Sequence, residues 1–173
     1  MRKSLAGFSL LLLLLAIWGL GNPAVAQVTA QCSGAEKAHE FDFWIGDWEV
    51  YSDGKLAGTS SIRPILDGCV VQEMWSGAQG SAGSSLNSYN PQTGKWQQSW
   101  VWRNGTTLDL AGGLEDGRMV LQGDSVNREG EALLNRITWT PNADGTVRQH
   151  WEVSKDQGTS WQTAFDGLYK KKP

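Results

Sequence analysis

The chain is short of the side chains that most chemistries need. Two histidines, His39 and His150, and two cysteines, Cys32 and Cys69, are its whole stock of imidazole and thiol. A Ser-His-Asp or Cys-His arrangement needs an imidazole beside its nucleophile. Here His150 falls on the outward face of its strand and His39 on a segment before the first strand. A haem barrel would want a histidine inside, and a zinc site would want further nitrogen or sulfur ligands near the cysteines. Neither set is present, so no metal and no cofactor is expected. Positive charge is scarce too. With Arg2 and Lys3 removed in a leader, 13 basic residues face 18 acidic ones, a surplus of five negative charges. The only basic run is Lys170-Lys171-Lys172 at the tail. Nucleic acid is therefore not an expected partner, since phosphate contacts need clustered cations.

Long apolar runs are absent except for one. Leu5–Leu20 follows Arg2 and Lys3 and leads through Gly21-Asn22-Pro23 to Ala24-Val25-Ala26, with Gln27 next. A basic start, an apolar core and an A-x-A site make a secretory signal peptide over residues 1–26. The run is short for a span of about 20 residues, and Val28-Thr29-Ala30-Gln31 before Cys32 is no lipobox. Residues 27–173 are then one exported domain, periplasmic or secreted, with no membrane anchor after cleavage. In that compartment the paired cysteines predict a Cys32–Cys69 disulfide. It would close a loop of about 37 residues, worth about 4 kcal/mol in the loop-entropy account.

Helical periodicity is also nearly missing. Ser33-Gly34-Ala35-Glu36 fits a capping box, and Phe41, Trp44 and Ile45 recur at i, i+3 and i+4. These predict a short helix over about 34–44 that plugs one end of the fold. Gly46 breaks the run, and Trp48-Glu49-Val50-Tyr51 begins an alternating strand. From there turn signals recur: Asp53-Gly54, Asp67-Gly68, Gly77–Gly83, Pro91–Gly94, Asn104-Gly105, Asp116-Gly117, Asn127–Gly130, Pro141–Gly145 and Asp156–Gly158. Lying about 11–14 residues apart, they leave strands of roughly eight to ten residues. Nine turns imply ten strands, and such short links join only antiparallel neighbours. The expected fold is an all-β, up-and-down antiparallel β-barrel of about ten strands, because closure removes exposed edges. A flat sheet or a sandwich is the alternative.

Strand alternation then selects inward side chains. A turn at Pro91–Gly94 pairs Tyr89 with Trp96, Asn87 with Gln98 and Ser85 with Trp100. A Pro141–Gly145 turn sets Trp139 opposite Val147, Ile137 opposite Gln149 and Asn135 opposite Trp151, with Arg136 and His150 on the outside. The last turn sets Val153 opposite Trp161 and Gln149 opposite Phe165. One register conflict stays open. A two-residue turn at Asn104-Gly105 would push Leu108 and Leu110 outward, so either a bulge restores them or Asp109 sits inside.

The expected inner set is Glu73, Trp75, Ser85, Asn87, Tyr89, Trp96, Gln98, Trp100, Gln149 and Trp151. These polar groups either satisfy one another and ordered water or line a site among tryptophans, as small-molecule sites are built. A ten-stranded barrel is wide enough to leave a cavity. Its expected ligand is small and apolar or amphipathic. Glu73 beside Trp75 is the best candidate for a general acid or base, in an isomerase or hydrolase, since burial raises a carboxyl toward neutrality. The plainer reading is a glutamate bonded to neighbours such as Asn87 or Tyr89. A filled barrel serving as an envelope interaction module is a further possibility. Gly77–Gly83 lacks the Lys-Ser/Thr ending of a phosphate-binding loop and reads as a rim loop at the mouth.

Gly46-Asp47-Trp48 resembles the G-x-W start of lipocalins and other calycin barrels. Taken with Leu66–Cys69, Ser85–Tyr89, Trp96–Val101, Arg136–Pro141, Val147–Glu152 and Phe165–Tyr169, the chain is similar to a bacterial family of exported, lipocalin-like domains of unknown function. The resemblance covers nearly all of residues 27–173. It implies a calycin-type barrel, but no activity and no functional residues. It also implies a basic residue packed on the first-strand Trp48, for which Lys170 is the candidate.

Overall fold

Two hairpins show how the sequence sets the topology. Asp53-Gly54 (φ 49° and 73°) and Asp116-Gly117 (φ 48° and 76°) each place two successive residues in the left-handed region. This is the type I′ turn, whose twist matches that of the strands it joins. The computed structural model, which describes Cys32, Gly34 and residues 36–172, contains ten strands. These are β1 (Gly46–Ser52), β2 (Lys55–Ile65), β3 (Val70–Gly77), β4 (Ala82–Asn90), β5 (Lys95–Trp102), β6 (Thr107–Glu115), β7 (Arg118–Val126), β8 (Ala132–Pro141), β9 (Val147–Ser154) and β10 (Gln162–Lys171). Each pairs with its chain neighbour, and β1 pairs antiparallel with β10. The barrel is closed, and no strand is left with a free edge.

The Tyr89–Trp96, Asn87–Gln98 and Ser85–Trp100 pairs form as expected. At Asn104-Gly105 the bulge wins. Trp102 N–H donates to Thr106 and Gly105 N–H to Trp102, with Gly105 at φ 84°. That extra residue sets Trp100 opposite Leu108 and Gln98 opposite Leu110, so both leucines are buried. Asp109 lies outside and accepts from Ser99.

The two last hairpins differ from expectation by a slide along the strands. Asn142 N–H closes on Thr146, so β8 runs through Pro141, which faces Val147. Trp139 therefore meets Gln149, Ile137 meets Trp151, and Asn135 meets Val153. On the outside Thr138 meets His150, and Arg136 pairs with Glu152 at 3.0 Å. A bulge between Thr163 and Phe165 then sets Phe165 opposite Trp151 and Gly167 opposite Gln149. The inward residues of β8 and β9 stay inward, but Trp161, expected inside opposite Val153, lies outside against Arg136, 4.0 Å from its ring, because Gln162 takes the place opposite Val153.

The expected N-terminal helix is not formed over the described residues. Residues 36–41 are successive turns, and the only helical element there is a 3-10 turn at Asp42–Trp44. Its hydrogen bonds run three residues back: Asp42 to His39, Trp44 to Phe41, Ile45 to Asp42. In that geometry residues i and i+3 eclipse. Phe41 and Trp44 therefore share one side, fully buried, while Ile45 is only half-buried. Their rings lie 5.0 Å apart, and Phe41 meets Trp96 and Trp139 edge-on at 5.7 and 5.2 Å. Trp48 Nε1 donates to Trp44 O at 2.9 Å and fastens the segment to β1. This aromatic cluster packs the end of the barrel where β1 begins and β10 ends.

Cys32 and Cys69 are disulfide-bonded, with 5.2 Å between Cα atoms. The basic residue over Trp48 is Lys171, 5.6 Å from the ring, not Lys170. Register explains the correction. Tyr169 faces inward, so Lys171 falls on the same side opposite Trp48, and Lys170 turns out to lie over Tyr51. The leader at 1–26 and the capping residue Ser33 lie outside the described residues. No helix among the described residues is long and apolar enough to cross a membrane.

Candidate functional site

Three rows of inward side chains cross β2 to β6. Nearest the packed end runs Val71, Asn87, Gln98 and Leu110, with the exposed Pro64 at its β2 end. Next comes Ile62, Glu73, Ser85, Trp100 and Leu108. Toward the other end lie Ser60, Trp75, Gly83 and Trp102. Asn87 and Gln98 of the first row and Glu73 and Ser85 of the second form a polar band, and the third row is mainly aromatic. Above the polar band the barrel is hollow, with a cavity of about 250 Å³. That exceeds the ~150 Å³ void that admits benzene and falls just short of the roughly 300 Å³ at which drug-sized sites begin. Ser81 and Ala164 on its rim are exposed, so it opens to solvent.

The walls are Trp75, Trp100, Trp102, Trp151 and Phe165, with Leu108 and Ile137. Two glycines make room for the rings. A Cβ on Gly83 would stand 2.4 Å from Trp100, and one on Gly58 would stand 2.7 Å from Trp75. Each indole lies over a bare stretch of the neighbouring strand, which a glycine inside a strand permits. Trp100 and Trp102 meet edge to face at 5.7 Å, and Trp75 meets Phe165 likewise at 6.4 Å. Trp75 Nε1 donates to Ser81 at 3.4 Å and Trp151 Nε1 to Asn135 at 3.1 Å.

The floor is polar, and its hydrogen bonds point one way. Gln98 donates to Asn87 Oδ1 (2.7 Å), Asn87 to Ser85 Oγ (2.9 Å), and Ser85 to Glu73 Oε2 (3.4 Å). Ser60 donates to Glu73 Oε1 at 2.8 Å from the other side. Every link delivers a donor toward the Glu73 carboxyl. Tyr169 on β10 donates to Gln149 Oε1 at 2.5 Å and also lies within hydrogen-bonding reach of Glu73. Burial pushes the Glu73 carboxyl up to about 7, against the pull of Ser60, Ser85 and Tyr169. Burial, and then the charge of Glu73, lift the Tyr169 phenol well above its ordinary value.

Of the residues expected inside, Glu73, Trp75, Gln98, Trp100, Gln149 and Trp151 line the cavity. Ser85 and Asn87 stand behind it, fully paired, and hold Glu73. Tyr89 and Trp96 do not reach it. Trp96 packs on Phe41 at the closed end and donates to Glu40 at 3.1 Å, and Tyr89 lies beside Trp96 at 6.4 Å. They lie two and more residues further down the same strands, below the polar band. Sequence reading passed over Ser60, Tyr169, Gly58 and Gly83. Gly58 carried a signal, being isolated within a strand pattern, whereas Gly83 was read as the end of the Gly77–Gly83 loop. Ser60 lies on the neighbouring β2, and Tyr169 carried no signal, since only the β1–β10 closure brings β10 toward β3.

Neither histidine enters the cavity. His39 is exposed and bonds Asp42 at 2.9 Å, while His150 bonds Thr163 at 3.0 Å on the outer face. The Gly77–Gly83 stretch is shorter as a loop than expected, because β4 already starts at Ala82. Arg103 ties it down by donating to Gly80 O at 2.7 Å. No protein-family model matches the chain, and no curated protein matches it either.

Proposed function

We propose that the chain is an exported, lipocalin-like barrel that binds a small, largely apolar molecule in this cavity. The observation that carries the reading is the division of the interior. One end is packed solid by Phe41, Trp44, Trp96 and Trp139, while the other keeps an aromatic-walled space over a satisfied polar floor. A barrel that needed only stability would fill both ends. The disulfide fits export into an oxidising compartment, periplasmic or extracellular. The rim loop at Gly77–Ala82 stands at the mouth and is placed to limit entry.

The test is indole N–H resonances in two-dimensional NMR during titration with tert-butylbenzene. Trp75, Trp100 and Trp151 should shift while Trp44 and Trp139 stay fixed. No shift at the mouth, or shifts at the packed end instead, would overturn the reading. Native mass spectrometry of the exported protein would then show whether a ligand of matching size is retained.

A second reading, proton transfer by Glu73, is favoured by one observation. The carboxyl faces the cavity and titrates near neutrality, where a general acid or base works best. It requires a turnover that Glu73→Gln abolishes while binding persists.

A further inference from the structure

We infer that the cavity selects an organic cation, a protonated amine or quaternary ammonium on a one- or two-ring body. Its charge would rest against Glu73 and its apolar part against Trp75, Trp100 and Trp151. The inference rests on the binding reading above and adds the sign of the ligand's charge.

Four observations lead there. First, among the described residues no lysine, arginine or histidine lines the cavity, and Glu73 is the only carboxyl there. A carboxylate or phosphate ligand would be buried without a counter-charge and beside a like one, which is strongly unfavourable. Second, several of the donors that could soften an anion are already in use, and the buried indole N–H of Trp100, which has no partner among the described residues, offers an anion no counter-charge. The indole N–H groups of Trp75 and Trp151 and the amide of Gln98 all donate to protein acceptors. Third, the one-way chain through Gln98, Asn87 and Ser85, with Ser60 opposite, favours negative charge on Glu73. Yet no protein cation completes the pair, and a neutral apolar ligand would leave it incomplete as well. Fourth, four tryptophans, Trp75, Trp100, Trp102 and Trp151, stand in the wall, and tryptophan is the side chain whose ring face attracts cations best.

Glu73 has neighbours on every side that bear on its charge. Ser60 faces it from β2, Ser85 from β4 and Tyr169 from β10. The two serines do not titrate, and Tyr169 stays neutral because its phenol is held well above its ordinary range. With the carboxyl poised at about 7, an arriving cation draws it into the ionised form. Binding of a permanent cation should therefore strengthen as pH rises through neutrality.

Phenyltrimethylammonium and tert-butylbenzene test this, since they share a shape and differ in charge. Neither titrates, so any pH dependence belongs to the protein. Calorimetric titration at pH 8.5 should show the cation binding about 10-fold tighter than its neutral isostere, or more. At pH 5.5 that preference should largely vanish, and Glu73→Gln should bind both probes equally at either pH. The pH series on the unaltered protein reads the same carboxyl should the variant fail to fold. Equal affinity for both probes at pH 8.5, or a preference untouched by pH and by Glu73→Gln, would overturn the cation inference while leaving a neutral-ligand site standing. Binding of neither probe would overturn both.

Discussion

Glu73 makes stability fall as pH rises, and the size of the fall is set by its burial. In the unfolded chain its carboxyl titrates near 4.5, and in the folded barrel at about 7. Below 4.5 the group is protonated in both states and burdens neither. Between the two values the folded state alone holds the proton, so unfolding releases it. Stability then drops by about 1.4 kcal/mol per pH unit through that window. Above 7 both states are ionised and the loss is complete, about 3 kcal/mol in all. Urea unfolding with the disulfide intact, from pH 5 to 8.5, should show most of this decline. Glu73→Gln should flatten it, matching the parent near pH 5 and exceeding it by up to about 3 kcal/mol at pH 8.5. The window avoids the surface carboxylates that pull the other way. Asp156, held at about 2 by bonds from Ser160 and Ser154, and Asp166, lowered by Arg148, contribute above the ordinary carboxylate range and lose that only as pH falls. If stability is level or rises between pH 5 and 8.5, or if Glu73→Gln follows the parent, the carboxyl is not buried without a counter-charge and the reasoning fails.

Other perturbations test the architecture around it. Gly83→Ala sets a methyl against Trp100 and the Val101 carbonyl, at 2.4 and 2.8 Å. It should cost about 1–3 kcal/mol and weaken tert-butylbenzene binding in the same titration by pushing the indole into the cavity. Gln98→Leu leaves Asn87 Oδ1 without its donor, at about 1–3 kcal/mol in chemical denaturation. Trp44→Ala empties the packed end and should lower stability by about 3–5 kcal/mol. The indole N–H shifts of Trp100 and Trp151 should barely change. Reducing Cys32–Cys69 frees a chain segment of 37 residues, with a loss approaching 4 kcal/mol in the loop-entropy account.

What was legible in the sequence follows from how far each interaction reaches along it. Alternation and turn residues act over a few positions. They gave ten strands, the inward faces and the Ser85–Tyr89 pairing with Trp96–Trp100. Registers were less secure wherever a turn could slide by a residue. At Asn104-Gly105 a left-handed glycine decided between two expectations, and the Pro141–Thr146 turn shifted β8 on β9 without changing any face. The helical spacing of Phe41 and Trp44 was real, but a 3-10 turn satisfies it as well as an α-helix, and a segment this short takes the tighter one.

The site itself depends on closure. Glu73 was visible as an inward carboxyl, but its surroundings come from both directions around the barrel. Ser60 and Ser85 lie within a strand of it, and Tyr169 arrives only because β10 pairs with β1. Closure therefore does more than remove an edge. It brings a phenol and an amide to the polar band holding one carboxyl, and it brings no arginine or lysine with them. Those side chains were available on the same strands. Arg148 and Lys170 alternate with Gln149 and Tyr169, and both face out. A slip of one residue would have aimed cations inward. The existing register leaves the band one carboxyl with no lysine or arginine of the described chain beside it, the pairing that the proposed cation would complete.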